Sequence, residues 1–100
     1  MAAPDAAAVV AEVTVTLYSA SFCGACARTR RVLEDVIGLV GDRVALREVN
    51  VATGPEEAER RGVVATPTTL LTDRAGAELA RAAGIPSPDQ VLALLDRHLH

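Results

Sequence analysis

Between residues 13 and 40 the hydrophobic period of the chain changes once, and that change restricts the fold more than any other feature. Val13 to Tyr18 (VTVTLY) is rich in β-branched residues and alternates Val13, Val15 and Leu17 against Thr14, Thr16 and Tyr18, the period of a strand. From about Gly24 the spacing becomes helical: Cys26, Thr29, Val32, Leu33, Val36, Ile37 and Val40 fall on one stripe, while Arg28, Arg31, Glu34 and Asp35 face water. Gly38 or Gly41 would end this helix as a left-handed cap, and Val44 to Val51 (VALREVNV) reads as a second strand. A strand, a helix and a strand at this spacing predict a right-handed parallel crossover unit.

The remaining half extends the pattern. Thr53-Gly-Pro-Glu-Glu predicts a short helix with Pro55 early and acidic residues in its first turn, where the helix dipole favours them, and Gly62 closes it. Thr68 to Thr72 is a third strand, Asp73-Arg-Ala-Gly76 a hairpin turn, and Ala77 to about Ala82 a fourth strand antiparallel to the third. Ser87-Pro-Asp-Gln90 matches a capping box before an apolar stripe of Val91, Leu92, Leu94, Leu95 and Leu99. The expected architecture is α/β, in the order β-α-β-α-β-β-α, with one four-stranded mixed sheet and helices on both faces. Residues 1 to 11 lack a period and are expected to form a flexible tail, leaving 12 to 100 as one domain.

Composition narrows the function classes. The chain is 50% hydrophobic but carries one Phe, one Tyr and no Trp, so no aromatic platform is available for stacking bases. Its basic residues are all arginines, and they are outnumbered by acids to a net charge of -3, the opposite of a phosphate-binding balance. Neither nucleic acid nor a membrane is expected as a partner. The N-terminal MAAPDAAAVVAE lacks a basic start and includes Asp5 and Glu12, unlike a signal peptide, so the expected location is cytoplasmic.

The chain's two cysteines, Cys23 and Cys26, lie where the period changes, within SASFCGACAR. Residues three apart on a helix share a face, with β-carbons about 5 to 6 Å apart. A disulfide accepts α-carbon separations of roughly 4.4 to 6.8 Å, so this pair can bond and part with little backbone movement. Cys23 would stand where the first unpaired amides of the helix point outward, a setting that lowers thiol pKa values to roughly 3.5 to 7.5. Cys26, one turn further in and on the apolar stripe, should be the more buried. That asymmetry suits a division of labour in which Cys23 attacks a substrate disulfide and Cys26 resolves the mixed disulfide. Arg28, Arg30 and Arg31 read as a solvated outer face, because exposed charges are heavily screened.

A CxxC between the first strand and first helix of a βαβ unit, followed by Thr66-Pro67 before a β-hairpin, then Gly84 and a C-terminal helix, resembles the thioredoxin/glutaredoxin superfamily. The resemblance spans about residues 13 to 99. It implies a thioredoxin-like fold and a thiol-disulfide oxidoreductase, with Cys23 as nucleophile and Cys26 as resolving cysteine. It further implies a cis Pro67 packed beside the pair, and a Thr66 backbone that pairs with an extended substrate segment. Phe22, Gly24, Ala25, Thr66, Pro67 and Gly84 are then the expected substrate-binding residues. The implied partners are disulfide-containing proteins and either a thioredoxin-reductase-type enzyme or glutathione. The expected state is a monomer without a bound cofactor or metal.

The chain departs from that family in places. Thioredoxins proper usually have Trp before the first cysteine and Gly-Pro between the two, where this chain has Phe22 and Gly24-Ala25. They also bury an acidic side chain six residues before the nucleophile. Leu17 occupies that position, so no carboxylate is offered there to take the proton of Cys26. The opening VTLYSASFC looks more like a glutaredoxin, yet AAGIPSPDQ lacks the Gly-Gly and acidic pair that hold glutathione. Protein disulfides are therefore favoured over glutathione mixed disulfides. Zinc binding by the CxxC would need His98 and His100 at the far C-terminus, an iron-sulfur cluster would need the glutathione-holding residues, and a redox-inert adaptor would not need both cysteines.

Overall fold

The computed structural model describes residues 11–99. The expected N-terminal tail therefore lies outside the described residues, apart from Ala11, as does His100. The elements follow in the anticipated order: β1 (Val13–Ser19), α1 (Gly24–Val40), β2 (Val44–Asn50), α2 (Pro55–Arg60), β3 (Thr68–Asp73), β4 (Glu78–Ala83) and α3 (Pro88–His98). They form one four-stranded sheet of order β2-β1-β3-β4. β1 runs parallel to β2 and antiparallel to β3, and β3 is antiparallel to β4.

The central position of β1 gives its alternation a particular meaning. Val13, Val15 and Leu17 point into the larger core, with Leu33, Val36 and Ile37 of α1, Val91 and Leu95 of α3, and Val44 and Leu71 of the sheet. Tyr18 points into a smaller core with Ala58 of α2 and Leu70. The period-2 pattern thus sorts side chains between two buried faces, and Thr16 and Tyr18 are as buried as Leu17. With roughly 1.5 to 3 kcal/mol for each fully buried aliphatic or aromatic side chain, the α1/α3 face carries most of the apolar stabilisation.

Local signals set the boundaries. Gly41, at φ 95°, ends α1 and its amide donates to the Ile37 carbonyl at 2.9 Å, while Gly38 stays inside the helix. Ser87 and Gln90 form the reciprocal capping box at the start of α3. β4 begins at Glu78 because Asp73 claims Ala77: the Asp73 amide donates to the Ala77 carbonyl, and Asp73 Oδ1 accepts from the amides of Ala75 and Ala77.

The small α2 face needs polar help. Glu57 on α2 accepts from both Nη atoms of Arg47 on β2, at 2.6 and 2.7 Å, and from the Tyr18 hydroxyl at 2.7 Å. The Arg47 guanidinium, aided by the Tyr18 hydroxyl, pulls the Glu57 carboxyl down to about 2. Burial, then the neighbouring carboxylate, raises the Tyr18 phenol above its usual value. A lone tyrosine in the sequence gave no hint of its partner, since Glu57 lies 39 residues away.

Candidate functional site

The site sits where β1 and β2 end together, the edge of a parallel pair at which connecting loops converge. β1 stops at Ser19, and Ala20 to Phe22 lead the chain into α1. Cys23 is the N-cap of α1 in extended conformation, and its sulfur accepts from the Cys26 amide at 3.1 Å. An N-cap side chain ordinarily offers an oxygen to this orphan amide, and here a sulfur takes its place. No acidic residue occupies the first turn, so nothing there opposes negative charge on the Cys23 sulfur.

Cys23 and Cys26 are joined as a disulfide with their α-carbons 5.2 Å apart. Cys23 is half-buried, whereas Cys26 is 0% exposed on the inward face of α1. The pair is thus unequal in access. Behind it, Thr29, also fully buried, returns its hydroxyl to the Ala25 carbonyl at 2.9 Å, closing the first turn.

The sheet register places Pro67 and Gly84 at the same end of the sheet as the close of β1. Tyr18 pairs with Thr68, and Thr68 with Ala83, so Ser19, Pro67 and Gly84 lie level across three neighbouring chain segments. The Gly84 amide donates to the Pro67 carbonyl at 3.0 Å. The Thr66–Pro67 bond is cis, and Pro67 is buried. Thr66 is half-buried and enters none of the loop backbone hydrogen bonds among the described residues. Gly24 is exposed and Ala25 half-buried. Phe22 is fully exposed with φ 56°, an uncommon conformation for a residue with a side chain.

Two features escaped the sequence. Val64 and Ile85 are exposed aliphatics, three residues before Pro67 and directly after Gly84 in the chain, and Phe22, directly before Cys23, is an exposed aromatic. The signal of the two aliphatics was available, since neither falls on an amphipathic stripe. The second feature is Glu48, which pairs in register with Leu17. Glu48 accepts from the buried Ser19 hydroxyl at 2.6 Å and from Nε and Nη2 of Arg30, both at 2.7 Å. Chiefly through Arg30, its carboxyl is held below the usual range. Arg30 is therefore a tie between α1 and β2, not simply part of a solvated face. Leu17 itself is packed in the larger core, and the carboxylate at its level belongs to the neighbouring strand.

A family profile described as a thioredoxin-like domain matches residues 3–99. The chain belongs to the thioredoxin-like family. It is 32% identical over 81 residues to thioredoxin of Chlamydia caviae, covering 81% of this chain and 78% of that one. Against thioredoxin of Bacillus subtilis it is 28% identical over 82 residues, covering 82% and 78% of the two chains. Among solved structures it resembles thioredoxin-2, a component of malaria parasite protein secretion machinery, with a TM-score of 0.80 at 25% identity over 87% of this chain and 84% of that one. A variant thioredoxin from Halobacterium salinarum shares the fold at a TM-score of 0.81 and 21% identity, covering 100% of this chain and 86% of that one. With a redox-type cysteine pair on this fold, this thioredoxin-like protein is a thiol-disulfide oxidoreductase. Among the described residues no helix is long and apolar enough to cross a membrane, and no cluster of three His, Cys, Asp or Glu side chains could hold a metal ion.

Proposed function

We propose that the protein exchanges disulfides with protein substrates, Cys23 attacking and Cys26 resolving. The unequal access of the two sulfurs carries this reading: Cys23 is half-buried at the helix start and Cys26 fully buried. A Cys23 thiolate attacks one sulfur of a substrate disulfide, forming a mixed disulfide and releasing the other sulfur as a thiolate. Cys26, deprotonated, then attacks the Cys23 sulfur and displaces the second substrate thiolate. The substrate gains two electrons and two protons, and the enzyme is left with the Cys23–Cys26 disulfide. A thioredoxin-reductase-type partner, or glutathione, supplies the electrons that restore the dithiol.

In this reading Phe22, Gly24 and Ala25 border the attacking sulfur on one side, and Thr66, Pro67 and Gly84 form the opposing wall. The uncommitted Thr66 backbone supports strand-like pairing with an extended substrate segment, which supplies hydrogen bonds without demanding a sequence. The apolar surface of Phe22, Val64 and Ile85 supports a protein segment with aliphatic or aromatic side chains as substrate. Residues 12–100 act as one monomeric cytoplasmic domain.

The test is reduction of insulin disulfides driven by dithiothreitol, with Cys23→Ser and Cys26→Ser alongside. Both variants lose turnover, and Cys26→Ser accumulates a mixed disulfide with the substrate. Unaltered rates in both variants would show that the cysteine pair is not the reacting centre. A rate that depends on glutathione and survives in Cys26→Ser would assign the glutaredoxin-like reaction instead.

A further inference from the structure

The loop that leads from α2 into Pro67 is gripped at one end by β4 and at the other by the residue that follows that strand. Helix α2 ends in a Schellman arrangement: the Gly62 amide donates to the Glu59 carbonyl at 3.0 Å, and the Val63 amide to the Ala58 carbonyl at 2.9 Å. That leaves the next carbonyls without helical partners. Arg81 of β4 takes them, donating from Nη2 to the Arg61 carbonyl at 2.6 Å and from Nη1 to the Gly62 carbonyl at 3.3 Å. Three residues further along the same segment, the Gly84 amide holds the Pro67 carbonyl at 3.0 Å. Between these anchors the Thr68 hydroxyl donates to the Ala65 carbonyl at 2.6 Å, and Val64 stands almost wholly exposed at 96%.

The Arg81 guanidinium is itself oriented. Glu78, three residues earlier on β4, receives Nε and Nη2 at 2.8 Å each. Register places Arg81 opposite Leu70, which lines the α2 face, so the side chain reaches across that face to the helix end. Its charge also opposes the negative end of the α2 dipole. For stability alone the Arg81–Glu78 pair counts for little, because both side chains are more than a third exposed and water screens their attraction. The geometric effect of the arrangement is larger. Backbone carbonyls bound by a planar fork fix the direction in which residues 63 to 66 leave the helix.

We infer that Arg81 is a positioning residue for substrate docking, holding residues 62 to 66 so that Val64 and Thr66 are presented to a protein substrate. This rests on the substrate-binding role proposed for Thr66 and Pro67. Arg81 touches neither sulfur and takes no part in the exchange itself. A protein substrate that lies along the loop feels its loss, and a small disulfide that needs only Cys23 does not.

The experiment compares wild type with Arg81→Ala, Arg81→Lys and Glu78→Gln, using insulin and hydroxyethyl disulfide as substrates. Losing charge-assisted bonds to the loop should raise KM for insulin about tenfold in Arg81→Ala, with kcat and the hydroxyethyl disulfide rate unchanged. Arg81→Lys, a charge without a fork, should fall between wild type and Arg81→Ala, as should Glu78→Gln. Should Arg81→Ala fail to fold, the other two variants carry the same comparison. An unchanged insulin KM, or equal losses on both substrates, would overturn the assignment. Amide hydrogen exchange separates this from the docking role of Thr66: faster exchange at Gly62 and Val63, whose amides are bonded at the helix end that Arg81 holds, with α1 unaffected, is expected whether or not insulin is reduced. Unchanged exchange there overturns the positioning itself, whereas wild type that ignores insulin overturns only the proposed substrate.

Discussion

The Cys26 amide points at the Cys23 sulfur, 3.1 Å away, so the first turn of α1 already solvates the atom that would carry charge after reduction. With Cys23 half-buried and Cys26 fully buried, the two thiols of the reduced protein should differ in reactivity. One equivalent of iodoacetamide added to the dithiol form should modify Cys23 almost alone, as peptide mass mapping would register. Equal labelling of both cysteines would contradict the asymmetry on which the division of labour depends.

Glu57 makes stability depend on acid. Its carboxyl titrates near 2 in the folded chain against 4.5 as its ordinary value, chiefly because of Arg47. Its contribution is therefore complete above 4.5 and is lost as pH falls from there toward 2. Glu57→Gln should lower unfolding free energy by about 1 to 2 kcal/mol at pH 6, and the gap from wild type should narrow at pH 3. Urea denaturation at the two pH values measures both differences, and a gap of constant size would remove Glu57 from the acid response.

At Glu48 two partners of unequal burial compete for importance. The ion pair with Arg30 has both side chains more than a third exposed, so Arg30→Ala should cost less than about 1 kcal/mol. Ser19 is only 1% exposed, and its hydroxyl has Glu48 as its acceptor. Glu48→Ala strands that buried hydroxyl and should cost about 1 to 3 kcal/mol, more than Arg30→Ala. Glu48→Gln, which keeps an acceptor, should fall nearer wild type. Chemical denaturation of the three variants gives the ranking.

Ser87 caps α3, its hydroxyl accepting from the Gln90 amide at 3.1 Å. Removing its hydroxyl by Ser87→Ala should cost about 1 kcal/mol of folding free energy. Insulin reduction below the melting range should be unaffected, so a midpoint shift without a rate change is the expected pair of results.

Where local chemistry decides, the residues announced the outcome: Ser87 with Gln90 built its capping box, Gly41 closed α1, and the spacing of Cys23 and Cys26 placed them within bonding reach. What could not be read were contacts between distant segments. Arg30 looks like any exposed arginine until β2 delivers Glu48 across 18 residues of sequence, and Arg81 looks like an ordinary edge charge until the end of α2 is seen beside it. Such pairs have no period, because they arise from the crossing of elements and not from the pattern within one. Val64 and Ile85 differ, since standing outside any amphipathic stripe was a signal already present in the sequence.

The link between Cys23 and Cys26 spans a separation of only three residues. Closing so small a ring removes little freedom from an unfolded chain, far less than a bridge between distant segments would. The sheet, meanwhile, is held by two cores and by α2's arginine ties, none of which passes through sulfur. The bond is thus not a staple. It is a reservoir of oxidising equivalents mounted on a frame that other contacts hold together.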